Sequence, residues 1–209
     1  MDVYFVRHGE TDGNVARRHQ HPETMLNERG VKQVTTVSST IANLKPTHII
    51  TSTQLRAVQS TKIIASYCED VIPDTHPAFE ELKAPRWLIG NRFVGLTTFW
   101  YVWAWFWGET VAEGESYREF LERIKEARTH LETLPADARV VVVSHAVFTN
   151  IFLEHLCTDK PMSFWRAIRR FWLILRIRNA AILHLRYDKS IQGTCGWKFL
   201  SAARVYLKS

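Results

Sequence analysis

Apolar and polar positions change their period several times along the chain, and each change marks an element. Val3-Tyr4-Phe5-Val6 is a short apolar run rich in β-branched and aromatic residues, which predicts a strand over 2–6 that halts at Arg7-His8 and a glycine. Residues 15–26 are polar and irregular. From Asn27 the apolar positions Val31, Val34, Val37, Ile41 and Leu44 recur near 3.6, predicting a helix that Lys45-Pro46 stops. His48 to Ser52 predicts a second strand, and Thr53 is placed to cap a helix whose Leu55, Val58, Ile63 and Tyr67 favour one face. A short strand is expected within 69–82, whereas 83–112 shows no clean period. Ser116 and Glu119 form a capping box ahead of a helix striped by Phe120, Ile124, Ala127, Leu131 and Leu134. Val140 to Val143 is continuously apolar, as in a strand covered on both faces, and runs into Ser144-His145. A helix over 147–156 and strands near 180–187 and 197–207 complete the pattern. Strands alternating with helices, with no repeat and no linker, predict one α/β domain over 1–209, with three α/β/α layers and a mostly parallel central sheet.

Composition changes this picture little. The 209 residues suffice for one full core, and 46% hydrophobic with 23% charged residues is ordinary for a globular chain. The formal charge of +6 favours anionic partners. Cys68, Cys157 and Cys195 are scattered and odd in number, which argues against a disulfide framework or a zinc site and points to a reducing, cytoplasmic interior. The amino terminus shows no basic-then-apolar signal pattern. The longest uncharged apolar run, Phe93 to Gly108, falls short of the roughly 20 residues a spanning helix needs.

The chemistry sits where strands stop. Arg7-His8, Thr51-Ser52 and Ser144-His145 each end a strand, and in a mostly parallel sheet such ends lie together. Arg56, one turn into the helix after the second strand, can point to the same place. Two imidazoles with two guanidiniums suit a dianionic phosphate, because arginine binds phosphate oxygens in bidentate fashion and neutral histidine can act as a nucleophile.

Arg7-His8-Gly9-Glu10-Thr11, with Asn14 beyond, resembles the signature of the histidine phosphatase superfamily, which includes the cofactor-dependent phosphoglycerate mutases. Leu26 to Gln33, Thr51 to Ala57, Gly114-Glu115-Ser116 with Arg123, and Val140 to His145 resemble further blocks of that family in order; Asn179-Ala180 continues the likeness more weakly. The resemblance implies a phosphoglycerate mutase-like fold. It implies that His8 attacks phosphorus, that Arg7, Arg56 and His145 hold the phosphoryl oxygens, and that Asn14 adds a hydrogen bond. It places the general acid at Glu81, in Phe79-Glu80-Glu81, and requires no metal or other cofactor. Leu82 to Gly90 departs from the family's usual continuation, Glu80 stands beside Glu81 as a rival, and Ala146 replaces a common glycine. His19, His21 and His48 read as solvated or loop residues. The expected activity is phosphomonoester hydrolysis on a small or lipid-like substrate, with mutase-type transfer and a non-catalytic scaffold as alternatives.

Two segments leave the family pattern. A lid insertion at about 84–112 holds five of the eight Trp (87, 100, 103, 105 and 107) with Phe93, Phe99, Tyr101 and Phe106. In the basic segment 160–178, Phe164, Trp165, Ile168, Phe171, Trp172 and Leu175 share one helical face, with Arg166, Arg169 and Arg170 opposite. Either both segments pack on each other or on a partner subunit, or they meet an anionic membrane surface, making the protein peripheral. Nucleic acid is not expected, because the aromatics cluster with aliphatics. The oligomeric state is left open.

Overall fold

The computed structural model describes residues 1–68, 71–107, 113–163, 165–167, 169–170, 177–191 and 195–203. Among the described residues, six strands form one mixed sheet in the order β3-β2-β4-β1-β5-β6. These are β1 (Asp2–Arg7), β2 (His48–Thr51), β3 (Asp74–Thr75), β4 (Arg139–Ser144), β5 (Ile182–Tyr187) and β6 (Trp197–Ala203). The first four run parallel; β5 is antiparallel to β1, and β6 to β5.

Helices cover both faces, as a sheet apolar on both sides requires. Val6, Val141 and Val143 face α2 (Glu28–Asn43) and α3 (Leu55–Ala65), packing on Val34, Val37, Ile41 and Ile64. The alternate residues Val3, Phe5, Val140 and Val142 face α5 (Tyr117–Thr133) and α6 (Ala146–Glu154), packing on Phe120, Ile124, Phe148 and Phe152. Each such side chain contributes about 1.5–3 kcal/mol by burial. The expected three-layer α/β/α arrangement is therefore present. A short α1 (Asp12–Val15) follows β1, capped by Thr11 and Asn14. The Ser116–Glu119 capping box starts α5 as its sequence predicts.

Several details differ from expectation. The segment with no clean period contains a helix, α4 (Leu96–Phe106), apolar on every side and so without a polar face to reveal it. Helix α3 buries Arg56, Ala57, Ser60, Thr61 and Ile64, while Tyr67 is exposed, because its inner face meets the polar strand ends through Arg56 and Ser60 as well as the core through Ala57 and Ile64. Thr53 does not cap it; the N-cap is Gln54, without a side-chain bond. Cys157 and Cys195 form a disulfide joining the residues after α6 to the start of β6, and Cys68 is left as the free thiol, so the expectation against disulfides is overturned. In the basic segment, Phe164, Ile168, Phe171, Trp172 and Leu175 lie outside the described residues. Its arginines do not form one solvated face: Arg166 and Arg170 both reach Glu154 on α6, and Arg170 Nη1 also donates to Asn150 at 3.2 Å. No helix among the described residues is long and apolar enough to cross a membrane.

Candidate active site

The carboxyl ends of β1, β2 and β4 open on a cavity of about 1140 Å³. Pairing continues one step past each strand: the His8 N–H donates to the Ser144 carbonyl at 3.0 Å, and the Ser52 N–H to that of Val143 at 3.1 Å. That extension fixes where His8 and His145 emerge. Their rings lie 5.1 Å apart, centroid to centroid, tilted by 56°. Arg7, His8, Asn14, Arg56, Glu80 and Glu81 line the cavity, whereas His145 is fully buried beneath His8.

His8 Nδ1 lies 2.7 Å from the Gly9 carbonyl, which can only accept, so Nδ1 carries the proton and Nε2 keeps its lone pair. Arg56 Nε donates to that Nε2 at 3.3 Å. Burial, reinforced by the charges of Arg56 and Arg7, holds His8 well below the ordinary histidine range; burial and the same arginines do so for His145. Both are neutral imidazoles at physiological pH. Burial also lowers Arg7 and Arg56 to about 10, an effect that Glu81 opposes in each case, and both stay charged.

The remaining donors are aimed by neighbours. Arg56 reaches the His21 carbonyl through Nη1 and Gln54 Oε1 through Nη2, while Arg7 Nη1 holds the Ile177 carbonyl. Arg7 Nε and His145 Nδ1 are buried with no partner among the described residues; His145 Nε2 meets Ser52 Oγ at 2.8 Å. Asn14 Oδ1 accepts from the Thr11 N–H and from Asn179 Nδ2, which turns the Asn14 amide group toward the cavity. Asn179 also donates to the His8 and Gly9 carbonyls at 3.1 and 3.2 Å. Glycine is required behind this loop: a Cβ on Gly30 would lie 2.1 Å from the Glu10 carbonyl oxygen.

Glu81 accepts three backbone N–H groups, from Leu82, Val147 and Phe148, and so caps the start of α6 from outside the helix. Glu80 is engaged instead by Thr53 and by Lys83. The turn carrying both is gripped by Arg123, which donates to the carbonyls of Ala78, Glu80 and Glu81. His19 and His21 lie on the loop after α1, as expected, and also line the cavity, while His48 begins β2 and does not. Burial pushes His19 down to about 4, and its Nε2 meets Thr98 of α4 at 3.1 Å. Among the described residues no three His, Cys, Asp or Glu side chains gather as a metal ion would need. Gln54 and Asn179 escaped the sequence reading as site residues, since each acts by orienting other groups.

A sequence profile of the histidine phosphatase superfamily, branch 1, matches residues 3–194. The chain is 34% identical to a protein of Yersinia pestis named a probable phosphoglycerate mutase, GpmB, over 97% of this chain and 92% of that one. Bacillus stearothermophilus YhfR superposes with a TM-score of 0.74 at 20% identity, covering 95% of this chain and 94% of that one. A mycobacterial glucosyl-3-phosphoglycerate phosphatase gives 0.70 at 19%, covering 95% and 96%. At such identities the two structures testify to the fold alone. With the profile spanning nearly the whole sequence, the chain belongs to the histidine phosphatase superfamily and is an enzyme of its first branch.

Proposed function

We propose that the protein hydrolyses organic phosphomonoesters through a phosphohistidine at His8. The observation that carries this reading is the state of His8: neutral, with Nδ1 tied to the Gly9 carbonyl and the Nε2 lone pair held beside Arg56 at the cavity floor. Nε2 gives its electron pair to phosphorus as the ester P–O bond breaks, and the departing oxygen takes a proton from Glu81. Water then attacks phosphorus, its proton passes to Glu81, and the N–P electrons return to His8. Arg7, Arg56, Asn14 and the neighbouring His145 supply the charge and hydrogen bonds that stabilise the phosphoryl oxygens during both transfers. Glu81 is favoured over Glu80 as the acid because its charge acts on both Arg7 and Arg56, whereas Glu80 turns to Thr53 and Lys83.

Hydrolysis is favoured over mutase-type transfer by the apolar part of the cavity lining. A mutase must retain a bisphosphorylated intermediate, which calls for a second polar cradle. Here Leu82, Tyr101, Val102, Trp105 and Ile151 give part of the cavity an apolar lining suited to a leaving group with an apolar body, with Arg17, Arg86 and Arg92 among the remaining lining residues. The relative named as a mutase keeps the other reading specific enough to test. Turnover of an aryl phosphate decides the first point: His8→Ala should abolish it, and Glu81→Gln should lower it by about 10²–10⁴. Equal turnover by His8→Ala would refute the mechanism. Phosphoglycerate isomerisation at a rate comparable with hydrolysis would assign the mutase.

A further inference from the structure

Helix α4 has two apolar faces with different fates. Thr98, Tyr101 and Trp105 point inward and line the cavity. Leu96, Phe99, Trp100, Trp103 and Trp107 recur at three- and four-residue steps on the opposite side, each between 42% and 74% exposed. No charged residue occurs in the helix, whose length is about 16 Å. A partly exposed aromatic face of that size marks a contact surface.

The charge around it identifies the partner. From Leu82 to Gly108 the chain has no acidic residue, while Lys83, Arg86 and Arg92 are cationic. Residues 17–19 pair with 90–93 just before α4: Arg18 bridges Arg92, the Phe93 N–H donates to the Arg17 carbonyl, and Thr98 Oγ1 donates to the Arg92 carbonyl. Exposed Arg17, Arg18 and Arg92 therefore crowd the base of the aromatic helix. Two carboxylates answer part of this charge, Glu113 on Arg86 at 3.5 Å and Glu80 on Lys83 at 3.4 Å.

We infer that the outer face of α4 docks on an anionic lipid bilayer, with the aromatic side chains in the headgroup region and the arginines at its base against acidic headgroups. Trp and Phe beside arginine is the composition that suits this boundary. A second copy of the chain could cover the same aromatics, but it would bring its own cations to the contact. Docking in this way sets the cavity wall directly behind the membrane-facing side of the helix. None of the five outer residues lines the cavity, whereas Arg17, Lys83, Arg86 and Arg92 do, so the cations that meet the headgroups also form the cavity's rim.

Sedimentation of the full chain with vesicles tests it. Phosphatidylcholine vesicles carrying about 30% phosphatidylserine should bind at least about tenfold more tightly than phosphatidylcholine alone, and about 0.5 M salt should weaken that binding. Phe99→Ser with Trp100→Ser should reduce it about tenfold and leave aryl phosphate turnover unchanged. No binding to the anionic vesicles, equal binding to both compositions, or binding untouched by a double variant that still turns over substrate would each overturn the inference. Self-association of the wild type that the double variant abolishes, without vesicle binding, would assign the face to a second copy. The lipid-composition series on the wild type stands even if the double variant does not fold.

Discussion

Arg123 clasps Glu115 through two contacts, Nε to Oε1 at 2.7 Å and Nη2 to Oε2 at 2.6 Å, with both side chains almost wholly buried. The same guanidinium holds three carbonyls around Glu81, so the pair is the brace of the proposed acid. Arg123→Ala leaves a buried carboxylate unpaired and should cost about 3–5 kcal/mol in denaturant unfolding. Arg123→Lys keeps the charge but cannot reproduce the fork, and should fold while losing turnover. Wild-type turnover in Arg123→Lys would show that the brace does not position Glu81.

Histidines held below their ordinary range set the acid stability, among them the buried His8, His145 and His155 and the partly buried His19. His8 and His145 sit well below the ordinary value and His19 at about 4, so the folded protein stays unprotonated there as pH falls. The unfolded chain takes up these protons from about pH 6.5 downward. Stability is then constant above that value and declines below it, by on the order of 3 kcal/mol for His19 over its full window. The melting temperature should fall between pH 7.5 and 5, and His19→Asn should flatten the fall. An unchanged melting temperature across that range would contradict the assignment.

Gly30 and the Glu10 carbonyl fix how closely α2 approaches the loop after His8. Gly30→Ala should push that loop off α2, destabilising the fold by about 1–3 kcal/mol and lowering turnover together. Loss of stability with turnover intact would mean that the loop yields without moving His8.

The Cys157–Cys195 bond closes a loop with a sequence separation of 38. Chain entropy assigns such a closure roughly 4 kcal/mol. Thermal unfolding with and without a reductant should show the difference, and Cys157→Ser should make the protein indifferent to the reductant.

What the sequence made legible was whatever is local. The strand ahead of Arg7-His8, the capping box at Ser116 and the valine run before His145 each carry their signal within a few residues. Helix α4 was hidden because both its faces are apolar, one turned to the cavity and one to solvent. The inner face of α3 was misread because Arg56, Ser60 and Thr61 are polar yet buried against the strand ends. The disulfide was illegible because its two cysteines meet only after β5 and β6 fold back. Asn179 stood out only through the family likeness, and its role did not: its amide serves the carbonyls of His8 and Gly9, and backbone acceptors leave no trace in residue type.

Arg7 is register-paired with Ser144 across β1 and β4, and the two histidines are the next residues on each strand. A slip of one position would send one imidazole to the opposite face of the sheet. Turnover is therefore an assay of strand registration: it can appear only once two remote segments have paired residue for residue. A chain that collapses with helices formed and β1 misaligned would look folded by its spectrum and be silent by its chemistry.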